Sequence, residues 1–262
     1  MSRVGRVLAP NPGPMTLDGT NTWVLRGGGP AGGPGEEQES DARRTVVVDP
    51  GPLLEGHLAA VRALAGEVAL VLLTHRHADH SEGAAAFAAS VGCRVRAVDP
   101  AHAAGVDLLH DGEHIEVDGL ELQILCTPGH TSDSVSILRL DDGDLLTGDT
   151  VLGRGTSVVA HPDGQLGSYL KSLQRLRDLA ARGVVTRLLP GHGPVVDDAL
   201  AVLDGYLEHR YERLEQVRGA LGAGARTPRE VVEAVYSGVD RSVWPAAELS
   251  VAAQLEHIRA GG

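Results

Sequence analysis

Val68-Ala-Leu-Val-Leu-Leu-Thr74-His75-Arg76-His77-Ala78-Asp79-His80 decides the reading of this chain. Six apolar residues in a row read as a strand buried on both faces. The turn that follows holds three His and one Asp within six residues. Three later pieces repeat the arrangement of a strand ending in a turn with one such residue. They are Thr127-Pro128-Gly129-His130-Thr131, Thr147-Gly148-Asp149-Thr150 and Pro190-Gly191-His192-Gly193. Turns just past strands are where open-sheet proteins build their sites. Neutral imidazole and carboxylate are the ligands that a divalent transition metal, zinc above all, prefers. Seven such groups (His75, His77, Asp79, His80, His130, Asp149 and His192) are too many for one tetrahedral ion. They suit two ions sharing a bridge, and Asp149 is the natural bridge because a carboxylate has two oxygens.

Outward from the motif the chain alternates. Trp23-Val-Leu and Thr45-Val-Val-Val read as strands, the second ending in Asp49-Pro-Gly. Between them residues 27–44 are mostly Gly, Pro, Glu and Arg, which predicts a mobile hairpin insertion with little to bury. Residues 53–65 have helical periodicity and 84–91 form a short helix. Residues 94–98, 120–125, 135–140 and 145–146 read as further strands. An amphipathic helix over 169–182 and a strand over 184–189 follow. Buried strands with helices between them predict an α/β or α+β sandwich, with helices outside its sheets. After Val196 the strand signal stops. A long helical pattern covers 199–221, and Thr227-Pro-Arg-Glu is a capping box with Pro at the first helical position. A last helix is expected from Trp244-Pro245 to Arg259. The expected division is a catalytic domain over 1–199 and a helical module over 200–262.

Composition narrows the function. In 262 residues, 42% hydrophobic content supports a sizeable core, and 3% aromatic content leaves Leu, Val and Ala to fill it. Thirty-four Gly and 14 Pro argue against a plain helical bundle. A formal charge of −12 excludes a bulk basic surface for nucleic acid or anionic membrane. The two cysteines, Cys93 and Cys126, make no disulfide framework. With no apolar leader and no stretch long enough to span a bilayer, the expectation is a cytoplasmic protein without membrane contact.

HxHxDH followed by His130, Asp149 and His192 in that order resembles the metallo-β-lactamase superfamily. The resemblance implies a four-layer αββα sandwich. It also implies His75, His77 and His130 on one metal, Asp79, His80 and His192 on the other, and Asp149 between them. More narrowly, Asn11-Pro-Gly-Pro, Asp18-Gly-Thr-Asn-Thr, Thr127-Pro-Gly-His-Thr, Gly148-Asp149 and Pro190-Gly-His-Gly-Pro are similar to the lactamase-beta-like protein 2 branch. That branch carries a C-terminal winged-helix-like module, which the last sixty-odd residues resemble, and its animal members are single-strand endoribonucleases. Two departures stand out. Ser81-Glu82-Gly83 occupies a place where the family often has Gly-Gly, and the chain ends at Gly262 before a β-wing is readable.

The function expected is that of a dinuclear zinc hydrolase using a metal-bridging hydroxide, with two zinc ions per chain and Asp79 also orienting the nucleophile. That apparatus attacks phosphorus or carbonyl carbon alike, so it leaves the substrate open. Single-stranded RNA is the first reading, through the lactamase-beta-like branch. Acyl hydrolysis of a thioester or lactone, as in glyoxalase II-like relatives, is the second. β-Lactamase action and an iron persulfide dioxygenase stand behind these. Against strong RNA binding, residues 200–262 carry 7 Arg and no Lys against 9 Asp and Glu. The module is therefore expected to pack over the cleft or to make a homodimer. Of the remaining histidines, 57, 102, 110, 114, 209 and 257 are expected at the surface. His161 is weighed between surface and cleft, with surface preferred. Cys126 reads as a buried strand thiol. Asp49 either braces a ligand histidine from behind or simply ends a strand. Thr20 and Asn21 either reach the site rim or only shape a turn. Arg76 and Arg154 are the cations expected beside the cleft.

Overall fold

The computed structural model describes residues 3–27, 43–103, 107–238 and 240–262. Of the insertion expected over 27–44, all but Gly27, Arg43 and Arg44 lies outside the described residues.

Two five-stranded sheets face each other. The first contains β1 (Val4–Leu8), β2 (Asn21–Leu25), β3 (Thr45–Val48), β4 (Val68–Leu72) and β5 (Arg94–Arg96), in that spatial order. Its first three strands are antiparallel, and β3, β4 and β5 run parallel. The second contains β6 (His114–Val117), β7 (Leu120–Cys126), β8 (Val135–Arg139), β9 (Asp144–Gly148) and β10 (Arg187–Pro190). It is antiparallel from β6 to β9 and closes with the parallel pair β9 and β10. The edge strands β1 and β6 have no counterpart in the sequence reading. Both are half exposed, with every second residue of β6 facing outward, so neither makes the solid apolar run that marks a buried strand.

The period of two sorts the apolar side chains into layers. Trp23, Leu25, Val46, Val48, Leu70 and Leu72 point inward from the first sheet and meet Leu122, Ile124, Ile137, Leu146 and Leu189 of the second. The alternate residues Val24, Val47 and Val71 point outward to α1 (Glu55–Ala65) and α3 (Ala84–Val91), where Val61 and Phe87 cover them. On the far side Leu125, Leu138, Leu145 and Leu188 pack under α4 (Leu166–Ala181) and α5 (Ala199–Gly222). The result is the αββα sandwich. Each such buried aliphatic side chain contributes about 1.5–3 kcal/mol.

The first half of α5 lies on this sandwich through Leu203, Tyr206 and Leu207. Its last turns, with α6 (Pro228–Val235) and α7 (Trp244–Arg259), enclose a separate small core around Val217, Val232, Trp244 and Val251. The capping box is formed as read. The Glu230 amide donates to Thr227 Oγ1 at 3.2 Å, and the Thr227 amide donates to Glu230 Oε2 at 3.0 Å. No helix among the described residues is long and apolar enough to cross a membrane.

Candidate metal centre

The site lies at one end of the sandwich, at the C-terminal ends of strands from both sheets. His75 and His77 follow β4, and Asp79 and His80 sit on the one-turn helix α2 (Ala78–Ser81) behind it. His130, Asp149 and His192 follow β7, β9 and β10. β2 ties the two sheets together there. Asn21 Nδ2 donates to the carbonyls of Pro190 (3.0 Å) and Gly193 (2.9 Å), and Trp23 Nε1 donates to Pro190 O at 3.1 Å.

All seven residues read from the sequence converge, in two groups: His75, His77, His130 and Asp149, and Asp79, His80 and His192. In the first group, His77 Nδ1 lies 3.1 Å from both His75 Nε2 and His130 Nε2, and Asp149 Oδ2 lies 3.7 Å from His130 Nε2. In the second, Asp79 Oδ2 is 3.3 Å from His80 Nε2 and 3.2 Å from His192 Nε2, and those nitrogens are 3.3 Å apart. Asp149 reaches this group too, with Oδ1 3.4 Å from His80 and Oδ2 3.4 Å from His192. A tetrahedral ion with bonds of about 2.0–2.1 Å sets its ligands about 3.3 Å apart, which is the spacing seen here. Asp149 Oδ1 is buried without a hydrogen-bond partner, a costly state for a carboxylate oxygen unless a cation completes it. Gly191 leaves the room: a Cβ there would stand 2.6 Å from both Asp149 Oδ1 and His80 Cε1. The donor set and its spacing fit a pair of divalent cations.

The outer contacts hold each ring in one sense. The Nδ1 atoms of His75, His80, His130 and His192 face Thr74 Oγ1 (3.0 Å), Asp49 Oδ2 (2.8 Å), Val158 O (2.7 Å) and Gly19 O (3.0 Å). In the neutral ring that a bound cation requires, donation there leaves Nε2 as the lone pair directed at the cluster. Asp49 is therefore a brace and not only a strand ending. It also accepts from the Thr74 amide (2.8 Å) and hydroxyl (2.7 Å), and it holds φ at +51°, a left-handed conformation unusual for Asp. Thr20 reaches the site as well, donating from Oγ1 to Asp79 Oδ2 at 3.0 Å.

Charge is divided unevenly over the cluster. Burial, with the neighbouring imidazoles, pushes His75 well below its usual range and His77 down to about 4. Burial pulls the same way on His192, but its hydrogen bonds to Asp149 and Asp79 outweigh it and raise the ring to about 9. In the same way Asp149 and Asp49 hold His80 well above its usual range. Burial opposes ionisation of Asp79 and Asp149, yet the His192 and His80 contacts prevail, leaving Asp79 at about 2 and Asp149 well below the carboxylate range.

Several expectations need correction or refinement. His57 is buried, 4% exposed, with Nε2 2.9 Å from Thr22 Oγ1 beneath the Asp49–Gly51 turn, because α1 presses that face of the helix onto β2. His161 faces the C-terminal module, with its amide donating to Leu249 O and Nε2 3.4 Å from Glu256. Arg76 and Arg154 flank the site, but both are engaged. Arg76 lies 2.6 Å from Asp163, 3.9 Å from Asp99 and 4.0 Å from Asp133, and Arg154 makes a two-pronged pair with Asp18 at 2.6 and 2.8 Å. Sequence reasoning missed Ser157, Tyr169, Tyr206 and Arg210, which support the ligand loops from behind. No local motif marks them.

Residues 38–192 match the Metallo-beta-lactamase superfamily, and residues 227–262 match the Beta-lactamase associated winged helix domain. The chain is 32% identical over 247 residues to the Beta-lactamase-like protein 2 homolog of Caenorhabditis elegans, covering 89% of this chain and 76% of that protein. It is 31% identical over 255 residues to the Atrochrysone carboxyl ACP thioesterase of Aspergillus chevalieri, covering 92% and 75%. Among solved structures, a metallo-beta-lactamase family protein from Thermus thermophilus superposes with a TM-score of 0.78 at 24% identity, over 99% of this chain and 94% of that one.

Proposed function

The chain belongs to the metallo-β-lactamase superfamily of hydrolases, and from that premise we propose that it is a dinuclear zinc enzyme hydrolysing an acyl bond, a thioester or a lactone. The observation that carries the acyl reading is the state of the two cleft arginines. Arg76 faces three carboxylates and Arg154 is paired with Asp18, so the positive charge beside the site is offset by acidic groups. An acidic rim disfavours a polyanion at the reacting centre and leaves a neutral carbonyl unhindered. The similarity to a named thioesterase supports the same direction.

His75, His77 and His130 would hold one ion and Asp79, His80 and His192 the other, with Asp149 shared. When bound, two such cations supply Lewis acidity and bring a water's pKa toward neutrality. The chain's own residues do the rest. Thr20 fixes Asp79 through Oδ2, and Asp79 keeps a quarter of its side chain open to the cleft. Its ionised carboxylate orients the attacking water and takes up the proton as oxygen joins the acyl carbon. That proton then passes to the departing sulfur or oxygen, so water is divided between the two products. Asp49, Val158 and Gly19 keep the imidazoles from turning while this happens.

The test sets zinc-loaded protein against an acyl thioester, a short single-stranded RNA and a cephalosporin side by side, with elemental analysis of the same preparation. Thioester turnover with two zinc ions per chain is the expected result. Preferential RNA cleavage would overturn the acyl reading, and one iron per chain without zinc would overturn the dizinc one.

A further inference from the structure

The buried face of α5 is apolar at Leu203, Tyr206, Leu207 and Leu214, but Arg210 stands in the middle of it. Arg210 is 5% exposed, and no carboxylate pairs with it among the described residues. A leucine would fill that position at far lower cost than a desolvated charge. Its contacts account for its presence. Nη2 donates to the Ser157 carbonyl, and the guanidinium lies 4.9 Å from the centre of the Tyr169 ring.

Ser157 is itself a contact of a ligand. Its Oγ lies 3.2 Å from His130 Nδ1, and the next carbonyl, Val158 O, accepts from that same nitrogen at 2.7 Å. Holding the Ser157 carbonyl fixes the peptide plane between 157 and 158, and with it the position from which Val158 O meets the ring. A neutral imidazole has one N–H. If Nδ1 keeps it, Nε2 is the lone pair facing His77 and Asp149. We propose that Arg210 is a positioning residue for His130, and that through it α5 is a working part of the metal centre. The neighbouring loop rests on the same two helices. Tyr169 Oη donates to Thr150 O at 2.6 Å, and the Leu152 amide donates to Tyr206 Oη at 2.8 Å. α7 holds the other end of the His130 support through Leu249 O and Glu256.

The proposal rests on the metal-centre reading only in treating His130 as a ligand, and its test separates the two. The wild-type chain, Arg210→Met, Arg210→Lys and the control Leu214→Ala are compared in two measurements. The first is the tautomer of the His130 ring in metal-free protein, read by nitrogen NMR at mildly alkaline pH. The second is the zinc-binding isotherm. Wild type should show a single Nδ1–H tautomer for His130. Arg210→Met should show a mixture, with one of two zinc affinities weakened by about 10–100-fold and the other kept. Arg210→Lys, which keeps a charge and a donor, should fall between, and it carries the test if the Met variant does not fold. Leu214→Ala should lower the melting temperature with His130 unchanged. An unaltered tautomer and isotherm in both Arg210 variants would overturn the proposal, as would an equal effect of Leu214→Ala. If wild type takes up no zinc, the metal-centre reading falls while the tautomer still decides the role of Arg210.

Discussion

Among the described residues Asp149 is the one side chain whose two oxygens both meet ligand histidines, and it belongs to both halves of the cluster. Asp149→Ala should therefore weaken both metal affinities together, by more than the roughly 100-fold that loss of an outer partner brings. Turnover should collapse while circular dichroism stays native, because the apolar layers lie elsewhere. Retention of two metals with near-normal turnover would refute the shared role. At this scale the sequence was legible wherever function is packed into a short motif. HxHxDH and the single His or Asp after β7, β9 and β10 named all seven residues that converge. It was silent where the partner is distant in the chain. Arg210 and Ser157 are 53 residues apart, as are His130 and His77, but only the second pair lies in motifs that advertise metal chemistry. Asp49 stood between two readings because its role depends on His80 arriving 31 residues later.

Elements were legible in proportion to how completely they are buried or how clearly they are capped. β4 and α3 needed only an apolar run or a helical period, whereas β1 and β6, with one side in water, gave no such run. The α6 capping box was visible in Thr227 and Glu230 alone. Thr227→Ala should lower stability by about 1 kcal/mol in a denaturant melt, with metal binding untouched. The hold of α4 and α5 on the Asp149 loop has a pH signature. Burial raises the phenols of Tyr169 and Tyr206 above their usual range. A folded-state pKa above the unfolded value gives stability that is complete below the unfolded pKa, about 10, and fades as pH rises past it. Wild type should thus lose stability steeply in alkali. Tyr206→Phe should start about 1–3 kcal/mol lower, since it strands the Leu152 amide, but decline less steeply above a pH of about 10. Equal alkaline slopes would show that Tyr206 does not titrate with unfolding.

Over the whole molecule, −12 of formal charge and two neutralised cleft arginines leave little to attract a polyanion. A cleavage-resistant single-stranded RNA analogue titrated into the metal-loaded wild-type protein should bind weakly. Its log–log salt slope should stay shallow, about −0.7 for each of one or two phosphate contacts. Tight binding with a steep slope would reveal a basic track and restore the RNA reading. The pairing of Arg76 with Asp163 has an evolutionary side. Arg76 is held by a carboxylate from a loop outside every strand and helix, with Asp99 and Asp133 close by. Asp163 also accepts from the Ser132 amide, at 3.3 and 3.4 Å, so the same carboxylate tethers the loop that carries His130. Selection on that one carboxylate thus acts at once on the charge beside the cluster and on the loop that carries a ligand.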